Sequence, residues 1–266
     1  MNQTTKLGVA LSIYNKRREL EINLKIIRER WSSHNDCYVS VCCNDPETFK
    51  ALEGNTHIDN LIFGDDIQIT NKAHKRMRIV DCIEKSVSNC AAEYVIHYHA
   101  DAYALKSEPI LQIIEEMEKN GYLVAFRGRG LDFRNNKCIH GDVDDHFVIF
   151  NRRALDERKL FDVSTKNLPA SKEQYLSVGN GETFLSFLIQ ASFSRDEIFW
   201  YDDMRNNIVD ETREDHYYPD GIMHRSMIPY NIDENRKFIH VNDFSDVTRI
   251  LSKYDVGDVD LLVKHD

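Results

Sequence analysis

The sequence predicts an α/β fold: one mostly parallel central sheet flanked by helices. Short apolar runs of strand length alternate with amphipathic helical stripes, the pattern of strand–helix–strand units. Polar or acidic residues close several of these runs, at the carboxyl ends where such sheets bind their ligands. At 266 residues, 42% of them hydrophobic, the chain can bury one large core.

Taken in order, LGVALSIYN is an apolar strand closed by Asn15. KRRELEINLKIIRERW follows as a helix, with Leu20, Leu24, Ile27 and Trp31 on one stripe. CYVSVCCN is a second strand, stopped by the turn signal Asn44-Asp45-Pro46, and NLIFGDD is a third. KAHKRMRIVDCIEKSVSNC spaces Met77, Val80, Ile83 and Val87 as a helical face. After the strand EYVIHYHADAYAL, SEPILQIIEEMEKNGY reads as a helix starting near Ser107 or Glu108 and stopping at Gly121. YLVAFRGRG is a further strand, and HFVIF is another, running into a helix from Arg152 or Arg153. GNGETFLSFLIQASF is a glycine-rich turn and a helix apolar almost all round, which must be buried. Downstream, a tyrosine- and histidine-rich stretch around Pro219-Asp220-Gly221 reads as loop.

A net charge of −10 argues against nucleic acid as the main partner. No apolar run is long enough to span a bilayer, and the amino terminus becomes charged too early for a signal peptide. Six cysteines without CxxC pairs read as reduced thiols, so the expected location is the cytoplasm.

Residues 93 to 105, EYVIHYHADAYAL, raise the functional question. Alternate strand residues face the same way, so His97, His99 and Asp101 share one face. One reading is a hydrolytic zinc site, because His-x-His-x-Asp resembles the start of the metallo-β-lactamase-like signature. That motif continues with another histidine and a glycine-rich turn, where this chain has Ala102 and Tyr103. The strand–helix–strand opening also disfavours zinc here, and His97 alone reads as a core histidine.

The other reading follows the order of elements. VALSIYNKRRELEINLKII, a strand ending in an acid, NKAHKRMR and AAEYVIHYHADAYAL together resemble the nucleotide-binding half of GT-A glycosyltransferases. The large inverting family (family 2-like) is the nearest in pattern. The resemblance implies a nucleotide-sugar-binding half over 1–130 and an acceptor-side half of the same domain over 131–266. It implies nucleotide contacts from Ser12, Tyr14, Asp45, Asn71 and Arg78, and a metal at Asp101, the retained member of the Asp-x-Asp motif. His99 stands where that motif has its first aspartate. An imidazole there suits Mn²⁺ better than Mg²⁺ as the divalent cofactor.

On the acceptor side, the resemblance puts a general base at the start of a helix, and Glu182 matches it. Asp144 and Asp145 are the alternates, in what reads as an acidic loop near the cleft mouth. A late histidine completes the metal site in the family; His224 matches, with His240 as competitor. Tyr217 and Tyr218 could stack on a sugar. The partners implied are a nucleotide-sugar donor and a glycan or lipid-linked acceptor, in polysaccharide synthesis. A nucleotidyltransferase would carry a glycine-rich loop after the first strand, which LGVALSIYNKRREL lacks. A sugar-nucleotide- or glycan-binding module without turnover is the alternative outside catalysis.

Overall fold

The structure, a computed structural model, describes residues 5–14, 16–31, 36–65, 72–100, 102–104, 107–166, 181–203 and 222–224. Its strands are β1 (Thr5–Ile13), β2 (Cys37–Cys43), β3 (Asn60–Phe63), β4 (Ala92–His99), β5 (Ala102–Ala104), β6 (Val124–Arg134), β7 (Lys137–Asn151), β8 (Ile198–Asp203) and β9 (Ile222–His224). Its helices are α1 (Arg17–Lys25), α2 (Pro46–Leu52), α3 (Lys72–Ser88), α4 (Glu108–Asn120), α5 (Arg152–Arg158) and α6 (Gly181–Ser192).

Seven strands form one sheet in the order β3-β2-β1-β4-β7-β6-β8. β1 runs parallel to β2 and β4, and β2 runs parallel to β3. β7 is antiparallel to both β4 and β6, while β6 and β8 are parallel. This is the mostly parallel, helix-flanked α/β sheet that the sequence predicts. The chain steps from β1 out to β2 and β3, then returns to β4 on the other side of β1. The order therefore reverses between β1 and β4, the place where open α/β sheets bind ligands.

Strand alternation divides the core into two layers. Leu7, Val9 and Leu11 of β1 and Tyr94, Ile96 and Tyr98 of β4 pack with Leu20, Leu24, Ile27 and Trp31 and with Ile110, Ile114 and Met117 of α4. Ala10 and Val95 face the other way, towards Val80, Ile83 and Val87 of α3 and Leu185, Leu188 and Ile189 of α6. Under α3 the sheet is made of small residues. A Cβ on Gly8 would lie 2.5 Å from Cys90 Sγ and 2.6 Å from Ala92 Cβ, so only glycine lets this corner close. Arg152 fixes the same corner by donating to the carbonyls of Ser88, Cys90 and Ala92.

The structure corrects three local readings. Asn44-Asp45-Pro46 opens a helix as well as ending a strand: Asp45 Oδ2 accepts from Thr48 N at 2.8 Å as the cap of α2, and Pro46 follows in the first turn. β6 and β7 form a long hairpin through Asn135 and Asn136, both at positive φ (49° and 64°), as a two-residue type I′ turn requires. Asp144 and Asp145 accordingly belong to β7 and not to a loop. The first helix also changes form, becoming a π turn over Ile26–Arg30. Gly121 ends α4 at φ 73°, with its amide and that of Tyr122 both donating to Met117 O. Among the described residues no helix is long and apolar enough to cross a membrane.

Candidate functional site

The carboxyl ends of β1, β2 and β4 meet in one row. Ser12 is the register partner of Cys42 on one side and of His99 on the other. Directly beyond this row lies a cleft of about 170 Å³. Ser12, Ile13 and Tyr14 form one wall, with Lys16 after them. Asn44, just past β2, and Ile79 and Cys82 of α3 form a second; His99 and Ala100 close it. The volume is below the roughly 300–1,000 Å³ of whole small-molecule sites. The described walls therefore bound only part of a ligand as long as a sugar nucleotide.

The described lining is mostly apolar in surface; Lys16 is the cation among these residues, and no acid is among them. Arg78 lies with its guanidinium carbon 5.1 Å from the Tyr14 ring centroid, a cation–π arrangement. Tyr14 is 48% exposed at the cleft. Arg78 is held from behind, donating from Nη2 to Asn44 O at 2.7 Å. Close packing makes that possible: a Cβ on Gly64 would meet Asn44 Cβ at 2.8 Å.

The thiols beside the cleft are structural. Cys82 is hydrogen-bonded to Cys42, and this bond together with burial raises its pKa. Burial pushes Cys43 up to about 11. Both stay protonated at neutral pH, so neither is a ready nucleophile. Cys37, Cys42, Cys43, Cys82 and Cys90 are all free and buried.

His97 and His99 do share a face, with ring centroids 5.7 Å apart. They differ in environment. His97 is fully buried, its Nδ1 3.2 Å from Ala10 O, whereas His99 is partly exposed on the cleft wall. His97 is thus a packed core residue. Among the described residues no group of three His, Cys, Asp or Glu is arranged to hold a metal.

The expected residues fall into four groups. Ser12, Tyr14, Arg78 and His99 come together at the cleft. Asp45 lies next to it, with one carboxylate oxygen engaged as a helix cap, while its neighbour Asn44 lines the wall. Asp101, Asn71, Tyr217, Tyr218 and His240 lie outside the described residues. For His224 and Glu182 only the backbone is described. β9 pairs antiparallel with β5 so that His224 stands opposite Ala102, the residue following Asp101. Glu182 is the second residue of α6, which Ser186 anchors by accepting from Val143 N at 2.7 Å.

Lys16, Asn44 and Ile79 were not anticipated from sequence. Asn44 had a readable signal, as the last polar residue after an apolar strand; Ile79 had none, since it lies off the apolar stripe of α3.

No family model matches the chain, and no curated protein matches it. Several solved structures are similar in shape. CMP:2-keto-3-deoxy-manno-octonic acid synthetase complexed with CTP is 12% identical, with TM-score 0.44, over 74% of this chain and 89% of that one. S. aureus TarS 1-349 is 12% identical, with TM-score 0.43, over 74% of this chain and 58% of that one. The bifunctional glycosyltransferase WbbM in its apo form is 9% identical, with TM-score 0.43, over 75% of this chain and 39% of that one. The functional case rests on the cleft itself.

Proposed function

We propose that this protein is a nucleotide-sugar-dependent glycosyltransferase that moves a sugar to a hydroxyl acceptor with inversion. The observation that carries the reading is the cleft at the β1/β4 reversal, where Tyr14, Arg78, Lys16 and Ser12 gather without an acid among the described lining residues. An exposed aromatic ring suits a base, and two cations suit the negative charge of a diphosphate. Asp45 and Asn71 would add nucleotide contacts, as the GT-A resemblance implies.

In the proposed reaction an acceptor oxygen attacks the anomeric carbon, a new C–O bond forms, and the bond to the diphosphate oxygen breaks. Glu182 would take the acceptor proton, and the nucleoside diphosphate leaves. Asp101, His99 and His224 would hold a divalent cation, Mn²⁺ before Mg²⁺, which neutralises diphosphate charge when bound. The β5–β9 register supports this set, since it brings His224 opposite the neighbour of Asp101.

A thermal-shift panel of nucleoside diphosphates and nucleotide sugars, with and without Mn²⁺, tests the reading. A hundredfold excess over Kd stabilises by about 2.7 kcal/mol. Stabilisation by one nucleotide sugar, followed by slow release of its sugar, supports a transferase. Binding without any turnover would instead favour a sugar-nucleotide-binding module, and silence across the panel would refute both.

A further inference from the structure

We propose that the cleft is a slot for a single-ring base, a pyrimidine, and that Ile79 is the residue that keeps purines out. The proposal rests on the nucleotide reading above and adds the class of base. Among the described residues three large hydrophobic side chains stand exposed: Tyr14, Phe63 and Ile79, at 48%, 40% and 40%. Tyr14 and Ile79 line the same cleft. Single exposed apolar residues are ordinary, but two that meet in one concave, mostly apolar lining make a seat for an apolar face. A nucleobase offers such a face; a ribose or a diphosphate does not.

Volume narrows the choice. An apolar cavity of about 150 Å³ accepts benzene, a single six-membered ring. The cleft, at about 170 Å³, is of that size. A pyrimidine is one such ring, whereas a purine fuses a second ring to it. The rest of the nucleotide then extends beyond the described walls.

The walls have little room to retreat. Asn44 and Cys82 line the cleft yet are only 3% and 2% exposed, so both are packed from behind. A Cβ on Gly64 would lie 2.8 Å from Asn44 Cβ and 3.1 Å from Cys82 Sγ, which puts the backbone after β3 directly against them. Ile79 is placed differently. It lies off the stripe of Val80, Ile83 and Val87 that packs into the core, so the core does not call for it. Its β-branch leaves essentially one χ1 rotamer in a helix, which makes it a fixed boundary. Arg78, the preceding residue, covers the Tyr14 ring. Consecutive residues of α3 thus hold the aromatic wall and limit the space beside it, and the second ring of a purine runs into Ile79.

The test is metal-free calorimetric titration of uridine, cytidine, adenosine and guanosine diphosphates into the parent, Ile79→Ala and Ile79→Val. The parent is expected to bind its better pyrimidine nucleotide more tightly than either purine nucleotide. One methylene in a hydrophobic pocket is worth about 10- to 200-fold. Ile79→Ala, which cuts the side chain back to Cβ, is therefore expected to shrink the pyrimidine preference by at least about tenfold, chiefly through tighter purine binding. Alanine is the better helix former at this exposed position, so the variant should melt within a few degrees of the parent. Should it fail to fold, Ile79→Val is expected to shift the preference the same way by a smaller factor. A parent that binds the purine nucleotides as tightly or more tightly overturns the slot and leaves the nucleotide-sugar reading standing. An unchanged preference in either variant overturns the role of Ile79. No binding of any of the four by the parent overturns the nucleotide reading, and this proposal with it.

Discussion

Asn44 and Arg78 bond each other twice. Asn44 Nδ2 donates to the Arg78 carbonyl at 3.0 Å, and Arg78 Nη2 donates to the Asn44 carbonyl at 2.7 Å. The end of β2 is thereby fastened to α3, and the guanidinium is held over Tyr14. A planar guanidinium can bond a carbonyl in its own plane while stacking flat on a ring, a fixed geometry that a compact ammonium lacks.

Arg78→Lys should therefore weaken binding of a nucleoside diphosphate by about tenfold, or ~1.4 kcal/mol. Asn44→Ala should weaken it in the same direction, by releasing Arg78. Calorimetric titration of the two single variants and the double variant gives the coupling, expected at about 0.5–3 kcal/mol for residues in contact. Strictly additive losses would show that the two residues act separately.

His97 and His99 should separate stability from binding. His97 is enclosed and faces Ala10 O, so His97→Ala should destabilise by about 1–3 kcal/mol in urea unfolding. His99→Ala should cost less stability but alter the Mn²⁺-dependent thermal shift given by a nucleoside diphosphate. His99→Asp, which restores the Asp-x-Asp pattern, should broaden metal use towards Mg²⁺. The reverse assignment of effects would make His97 the functional histidine.

How far the sequence carries depends on what is local. Stripes such as Leu20–Leu24–Ile27–Trp31 and the shared face of His97 and His99 follow from periodicity, and both are present. Asn44-Asp45-Pro46 misleads because a turn and a helix cap use the same residues for the same short-range bonds. The β6–β7 hairpin is hard to read because RGRGLDFRNNKCIHGDVDD mixes glycines and charges without clean alternation. At the site, Ser12 and Tyr14 are legible as the end of a strand. Lys16 and Ile79 reach the cleft through the way α1 and α3 pack, which no local pattern encodes.

The buried thiols set a pH limit. Burial pushes Cys37 and Cys90 up to about 12, from an ordinary value near 9. Above pH 9 the unfolded chain releases these protons while the folded chain keeps them. The stabilisation is thus complete below about pH 9 and is lost as pH climbs towards 12. Urea midpoints should be level from pH 7 to roughly 8.5 and then fall, and Cys90→Ala should shallow the fall. A midpoint that rises above pH 9 would contradict this assignment.

Glu182 offers the sharpest separation of catalysis from structure. It is the second residue of α6, where a carboxylate complements the helix dipole whether or not it does chemistry. That role is worth only about 0.3–1 kcal/mol, and its loss appears as a small drop in stability. A general base supplies about 10²- to 10⁴-fold in rate, and its loss appears in turnover. Glu182→Gln keeps the size and hydrogen-bonding reach while removing charge and basicity. If Glu182 is the base, the variant should bind the donor as the parent does, melt within a few degrees of it, and transfer sugar at least a hundredfold more slowly. A variant that keeps most of its transfer rate places the base elsewhere. Asp144 and Asp145 of β7 are then the carboxylates to replace next, because α6 is anchored to the residue beside them through Ser186 and Val143.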